Sequence, residues 1–154
     1  MITTLAVVTA TVVGLMVGVE FAVAFVVNPI LLRLPAGASL AARADGGRML
    51  GRAMPIWYVS SLALTGALAA LTWGGPSATA ALVAAGLLAV SVVLSIALLV
   101  PINNRSRGWT ADDHPDDWRE QHRRWDRLHH GRVALILVAF VLVLVAGALP
   151  GPVS

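Results

Sequence analysis

The residues best suited to chemistry lie in one polar stretch near the C-terminal end of the chain. His122, Asp126 and His129 stand at positions i, i+4 and i+7, a spacing that places them on one face of a helix. A histidine beside a carboxylate is suited to general base catalysis, so His129 oriented by Asp126 is a candidate for proton abstraction. The same face carries two aromatic rings and a cation, Trp118, Trp125 and Arg132.

A metal site is a second interpretation of this helix face. Ligand-type side chains stacked along one face could hold iron or another divalent metal if a carboxylate joined them from elsewhere. The candidate set is His122, Asp126, His129 and Glu20. The spacing also arises readily in a polar helix, so we predict no cofactor and leave a divalent metal open.

Glu20 is the only ionisable residue well inside a hydrophobic segment. It lies eight residues before Asn28, which corresponds to about 12 Å along a helix. An acid near the middle of a membrane span costs roughly 2.5–3.5 kcal/mol, so it should face other helices, either paired or protonated. We consider both a substrate-binding role and a purely structural hydrogen bond for it.

Three asparagines, Asn28, Asn103 and Asn104, lie at the ends of hydrophobic segments. Their amides could donate to a carbonyl or enolate oxygen, or could only cap exposed helix carbonyls. The first segment ends in Asn28-Pro29 and the third in Pro101-Ile102-Asn103-Asn104, which is a weak sign of two diverged helix pairs.

Membrane-spanning helices must position these residues. The 154-residue chain is 58% hydrophobic and 12% charged, whereas a soluble domain has about 25% charged residues. Four segments reach the roughly 20 residues that a crossing needs, about 2–27, 55–73, 77–100 and 132–149. The sequence predicts an all-α membrane protein, a four-transmembrane-helix bundle forming one domain over 1–154. A juxtamembrane helix should begin near Pro115 in the second long loop.

The arginines predict the orientation of the bundle. Ten of them lie in the two long loops, and Arg132 lies at the entry to the fourth segment. This bias predicts a plasma-membrane protein with both long loops cytoplasmic and both termini outside. The first segment should be retained, because no positive charge precedes it. The membrane explains the basic loops better than nucleic acid does, and the absence of cysteine excludes disulfides and thiolate chemistry.

Two polar signatures carry a resemblance. The third segment ends Leu99-Val100-Pro101-Ile102-Asn103-Asn104-Arg105, and a later run has the form Trp118…Trp125-Asp126-Arg127-Leu128-His129…Arg132. In a small four-span chain, these signatures resemble the anthrone oxygenase-like family over nearly the whole length. The family's characterised type is a small membrane oxygenase that converts an anthrone to an anthraquinone in aromatic polyketide pathways. The residues carried over by position are Asn103, Asn104, Trp125, His129 and Arg132.

The resemblance implies a mechanism for these residues. His129, oriented by Asp126, would take a proton from the acidic methylene, and the resulting carbanion would react with dioxygen without flavin or haem. Arg132 or Asn103 would stabilise the oxyanion. Trp118 and Trp125 would stack on the flat, hydrophobic aromatic substrate. The other substrate-binding candidates are Asn104, which the motif carries, and Asn28 and Glu20, which come from the physical argument and not from the motif.

Two other function classes stay open. One is a small-molecule binding or transport protein with Glu20 as a proton-coupled group, and so short a chain would then form a homo-oligomer to build a path. The other is a membrane accessory subunit whose polar helix face docks a partner. Besides the lipid bilayer and an aromatic ligand, the sequence points to no defined partner.

Overall fold

All the regular structure that the computed structural model describes, over residues 1–149, is helical. Four helical stretches are long and apolar enough to cross a membrane, namely Ile2–Arg33, Ala36–Leu71, Pro76–Ser106 and Trp118–Ala148. The predicted all-α, four-span bundle is therefore confirmed, and the chain is a multi-pass membrane protein.

The first and third stretches are built alike. Each is a long α-helix, then one π-helical turn, then a short α-helix. The first comprises α1 (Ile2–Ala22), the π segment Val23–Val27 and α2 (Asn28–Arg33). The third comprises α4 (Pro76–Leu94), the π segment Ser95–Leu99 and α5 (Val100–Ser106). The second and fourth stretches are the uninterrupted helices α3 (Ala36–Leu71) and α6 (Trp118–Ala148).

A proline accounts for each π segment. Proline lacks an N–H and its ring collides with the carbonyl four residues earlier. For Pro29 that carbonyl belongs to Phe25, and for Pro101 it belongs to Ala97, so both lie inside the π segments. The wider turn removes the collision without ending the helix, and such turns often lie at functional sites. The weak repeat in the sequence thus has a counterpart in the fold.

Both long connections are more helical than the hydrophobic segments indicate. The predicted loop 29–54 is helical over most of its length, because α3 begins at Ala36 and runs through Pro55. The predicted juxtamembrane helix begins at Trp118 and continues without a break as the fourth span. Polar residues that the sequence placed in loops therefore lie on rigid helices.

The four stretches form a ring in which α1 and α4 each contact both α3 and α6. A small-residue cluster closes one end of this bundle, and it contains Ala6, Leu68, Ala69, Ala80, Ala81 and Ala146. Because α1 and α4 begin there and α3 and α6 end there, both long connections lie at the opposite end. We call these the closed end and the open end. That the open end faces the cytoplasm remains a prediction from the arginine distribution.

Candidate active-site cavity

A cavity of about 700 Å³ lies between the helices at the open end. Both π segments, the N-terminal half of α3, and α6 from His122 to Arg132 contribute side chains to its wall. On α3 the wall includes Gly46 and Gly47, where an added Cβ would meet no atom within 4 Å. Small residues and widened helical turns therefore leave open space where larger side chains would fill the bundle.

Glu20 and Arg132 form an ion pair on the cavity wall. Arg132 Nη2 donates to Glu20 Oε2 at 2.5 Å, and Tyr58 donates its hydroxyl proton to Glu20 Oε1 at 3.0 Å. Arg132 Nη1 donates to Ser95 Oγ at 2.7 Å. All four side chains line the cavity, and Glu20 is only 4% exposed. Burial of a carboxylate requires such partners, since an unpaired charge would be strongly destabilising here.

His129 lies behind this ion pair and does not line the cavity. Its Nδ1 is 3.0 Å from Arg132 Nη2, and its Nε2 is 3.2 Å from the Glu20 carbonyl oxygen and 3.5 Å from Glu20 Oε2. Since the guanidinium can only donate, Nδ1 accepts and we assign the ring proton to Nε2, which donates to the carbonyl. The Trp125 ring stacks on the imidazole at 4.6 Å. The fully buried His129 thus positions Glu20 and Arg132.

The Asp126 carboxylate accepts hydrogen bonds from side chains of two other helices. Arg43 on α3 donates to both of its carboxylate oxygens, at 3.2 and 3.0 Å, and Asn28 Nδ2 donates to Oδ1 at 2.9 Å. Within residues 1–149, Asp126 makes no hydrogen bond to His129, so the predicted orientation of one by the other is not seen. The carboxylate instead joins α1–α2, α3 and α6 at the open end.

The predicted substrate-binding residues divide into two groups. Glu20, Asn28 and Trp125 line the cavity, as does Asn103, which was predicted to stabilise the oxyanion. Trp118 is buried against His122 and carries the Arg119 guanidinium 4.3 Å above its ring, and Asn104 is exposed, so neither lines the cavity. Trp118 is a packing residue of the α6 N-terminal turn.

The candidate metal ligands are only partly brought together. Glu20 and His129 approach to 3.5 Å, Asp126 is bound to Arg43, and His122 contacts the rings of Trp109 and Trp118. No group of three or more His, Asp or Glu side chains within residues 1–149 is arranged to hold a metal ion. Whether the protein binds a divalent metal is not tested by this geometry and stays a prediction.

Three site residues were not predicted from the sequence, namely Tyr58, Ser95 and Arg43. Arg43 is one of the ten loop arginines that served only to predict the orientation of the bundle. The sequence does contain one sign of these residues. Glu20 and Asp126 need hydrogen-bond donors, because a buried acid implies polar partners on neighbouring helices. Which donors supply them depends on helix rotation, and the sequence pattern does not fix that rotation.

Fold and cavity together define a four-span membrane protein with a cavity near one end of its bundle and a buried ion pair on the cavity wall. The family model described as Anthrone oxygenase matches residues 48–142, and the chain belongs to that family. This confirms the resemblance and supports a membrane oxygenase-like protein at the family level. The match includes Tyr58, Ser95 and Arg132, whereas Glu20 and Arg43 precede it. Comparison with curated proteins and with solved structures gave no match.

Proposed function

We propose that the protein is a membrane oxygenase that oxidises an anthrone, or a similar planar aromatic, with dioxygen in the open-end cavity. The observation that carries this proposal is a carboxylate and a guanidinium, Glu20 and Arg132, held side by side on the wall of a largely apolar cavity. A base beside an oxyanion-binding cation is what proton abstraction next to a conjugated carbonyl requires.

The proposed reaction begins with proton transfer. In its ionised form, Glu20 takes one proton from the methylene carbon, and the electron pair spreads onto the carbonyl oxygen, where Arg132 stabilises it. This assigns the base role to Glu20, which lines the cavity, and gives His129 a positioning role. Arg132 keeps the oxyanion role that the family resemblance implies.

Dioxygen completes the reaction. The electron-rich anion reduces dioxygen, a C–O bond forms at the former methylene carbon, and the proton held by Glu20 passes to the outer peroxide oxygen. Loss of water then breaks the O–O bond and the remaining C–H bond and leaves a second carbonyl. One anthrone and one dioxygen give one anthraquinone and one water. The substrate anion is itself the reductant, so the step needs no flavin or haem.

The rest of the cavity supports a flat hydrophobic substrate. Apolar side chains from both π segments and from α3 make up most of the wall, with few polar groups to fix orientation, as in small-molecule sites generally. They include Val23, Val27, Leu50, Met54, Ile96 and Leu99. We also propose a plasma-membrane location with the cavity toward the cytoplasm, supported by the arginine bias of the long connections.

Oxygen uptake tests the proposal. Purified protein in lipid nanodiscs should consume one dioxygen per anthraquinone formed, at a rate well above autoxidation in empty nanodiscs. Glu20→Gln should lower the rate at least about a hundredfold, because general base catalysis typically contributes 10²–10⁴-fold. Glu120→Gln, at an exposed acid of α6, is the matched control and should retain full rate. Uptake that equals the empty discs, or that survives in folded Glu20→Gln, would refute the proposal.

A further inference from the structure

Several nitrogen atoms at the α6 N-terminal side of the cavity are buried without a hydrogen-bond partner within residues 1–149. They are His122 Nδ1, Trp125 Nε1 and Arg43 Nε, and all three side chains line the cavity. His122 is only 3% exposed, and its contacts are with the rings of Trp109 and Trp118 at 5.5 and 5.6 Å. Buried polar groups are nearly always satisfied, so these groups point to a ligand that accepts hydrogen bonds.

The charges on this side of the cavity are positive. The cavity is lined by three arginines and one glutamate, Arg43, Arg107, Arg132 and Glu20. Glu20 neutralises Arg132, and Asp126 neutralises Arg43 from outside the cavity. Arg107 has no ion pair within residues 1–149. Arg107, an exposed residue, lines the same cavity as the unpaired N–H groups, and a cation together with N–H donors favours an anionic oxygen group over a neutral one.

This polar region is separated from the proposed reaction centre. His122 precedes Arg132 by ten residues and Trp125 precedes it by seven, which correspond to about 15 and 10 Å along α6. A ligand that reaches both regions must therefore extend along α6 from the reacting atoms. In a fused three-ring aromatic whose reacting carbon lies in the central ring, a substituent on an outer ring extends in this way.

We propose that His122, Trp125, Arg43 and Arg107 form a subsite for a carboxylate carried on an outer ring of the substrate. The inference rests on the proposed function and deepens it, because it names the substrate class as a carboxylated planar aromatic. The Trp125 indole N–H and the His122 imidazole donate to the carboxylate oxygens, and the arginines supply the charge. Asn103, which also lines the cavity, offers a further amide donor.

Two product-like probes test the subsite without turnover. Anthraquinone-2-carboxylate and its neutral carboxamide have the same rings and nearly the same shape. In nanodiscs, the wild-type protein should bind the carboxylate at least about tenfold more tightly, as expected for hydrogen bonds to a charged group. Trp125→Phe keeps a ring to stack on His129 but removes the N–H, so it should reduce this preference several-fold and leave carboxamide affinity within about twofold. His122→Phe should act in the same direction.

Matched variants separate the subsite from general effects. Trp73→Phe changes an exposed tryptophan at the closed end, and Arg105→Gln removes an exposed arginine near Arg107, so both should keep the wild-type preference. Equal binding of the two probes, or a preference unchanged in Trp125→Phe, overturns the subsite while oxygen uptake leaves the proposed function standing. Failure of folded wild-type protein to bind either probe also overturns the subsite, and oxygen uptake then decides the proposed function separately. If His122→Phe does not fold, Trp125→Phe decides the test alone.

Discussion

The two ends of the bundle are held together by different interactions. At the closed end, alanines and Leu68 let the helices approach until a Cβ on Gly147 would lie 3.2 Å from the Ala6 Cβ. At the open end, proline-induced π turns and glycines keep the helices from closing, and ion pairs from Glu20 and Asp126 link them. Close van der Waals contact and interhelical hydrogen bonds are the two ways in which helices associate in lipid. Small-residue packing dominates the closed end, where Ser77 Oγ also donates to the Leu149 carbonyl at 3.0 Å, and the buried ion pairs lie at the open end.

Removal of Arg132 at the open end should cause the largest loss of stability. Arg132→Ala leaves the Glu20 carboxylate buried without its cation, and loss of one partner of a buried pair costs about 3–5 kcal/mol. Reversible unfolding in mixed micelles measures the loss in free energy of unfolding. The double variant Glu20→Gln with Arg132→Gln should recover at least half of it, because no uncompensated charge remains. If the double variant were as unstable as the sum of both single variants, the pair would not be the source.

Overpacking the closed end should lower the free energy of unfolding by a smaller amount. Ala81→Leu adds three carbons at a fully buried position of α4, and such insertions into a tight interface cost about 1–3 kcal/mol. Ala134→Leu, at an exposed position of α6, is the control and should change stability little. The same micelle unfolding assay applies. An Ala81→Leu protein as stable as the control would show that the closed end is loosely packed.

The sequence predicts the fold better than the site because the two depend on different information. Hydrophobic length alone locates four spans, and 100° spacing places Trp118, His122, Asp126, His129 and Arg132 on one face of α6, all of which are buried. Spacing does not distinguish a side chain that faces the cavity from one that faces a neighbouring helix. Trp118 and His129 were therefore predicted to act at the site, whereas the structure places both outside the cavity wall.

The partners of the buried charges also depend on geometry that the sequence pattern lacks. Each π turn inserts one residue into the helical repeat, so the residues before and after it share a face that regular spacing does not predict. Arg43 lies in a stretch with no clear apolar period, and the helix that carries it to Asp126 is only evident from the fold. Those two features decide which side chains meet in the cavity.

A glycine substitution on α3 should change stability least and function strongly. It tests whether the open end, unlike the closed end, holds space for a substrate. Gly47→Leu adds a side chain at a position that lines the cavity, where an added Cβ meets no atom within 4 Å. Stability should rise by up to about 1 kcal/mol, because glycine disfavours a helix interior. Both anthrone turnover and probe binding should fall at least about tenfold, because the leucine occupies space that the substrate needs.

Gly66→Leu, on the same helix outside the cavity and also free of contacts at Cβ, should stabilise equally and leave turnover unchanged. Equal activity in the two variants would mean that the open end does not hold the substrate.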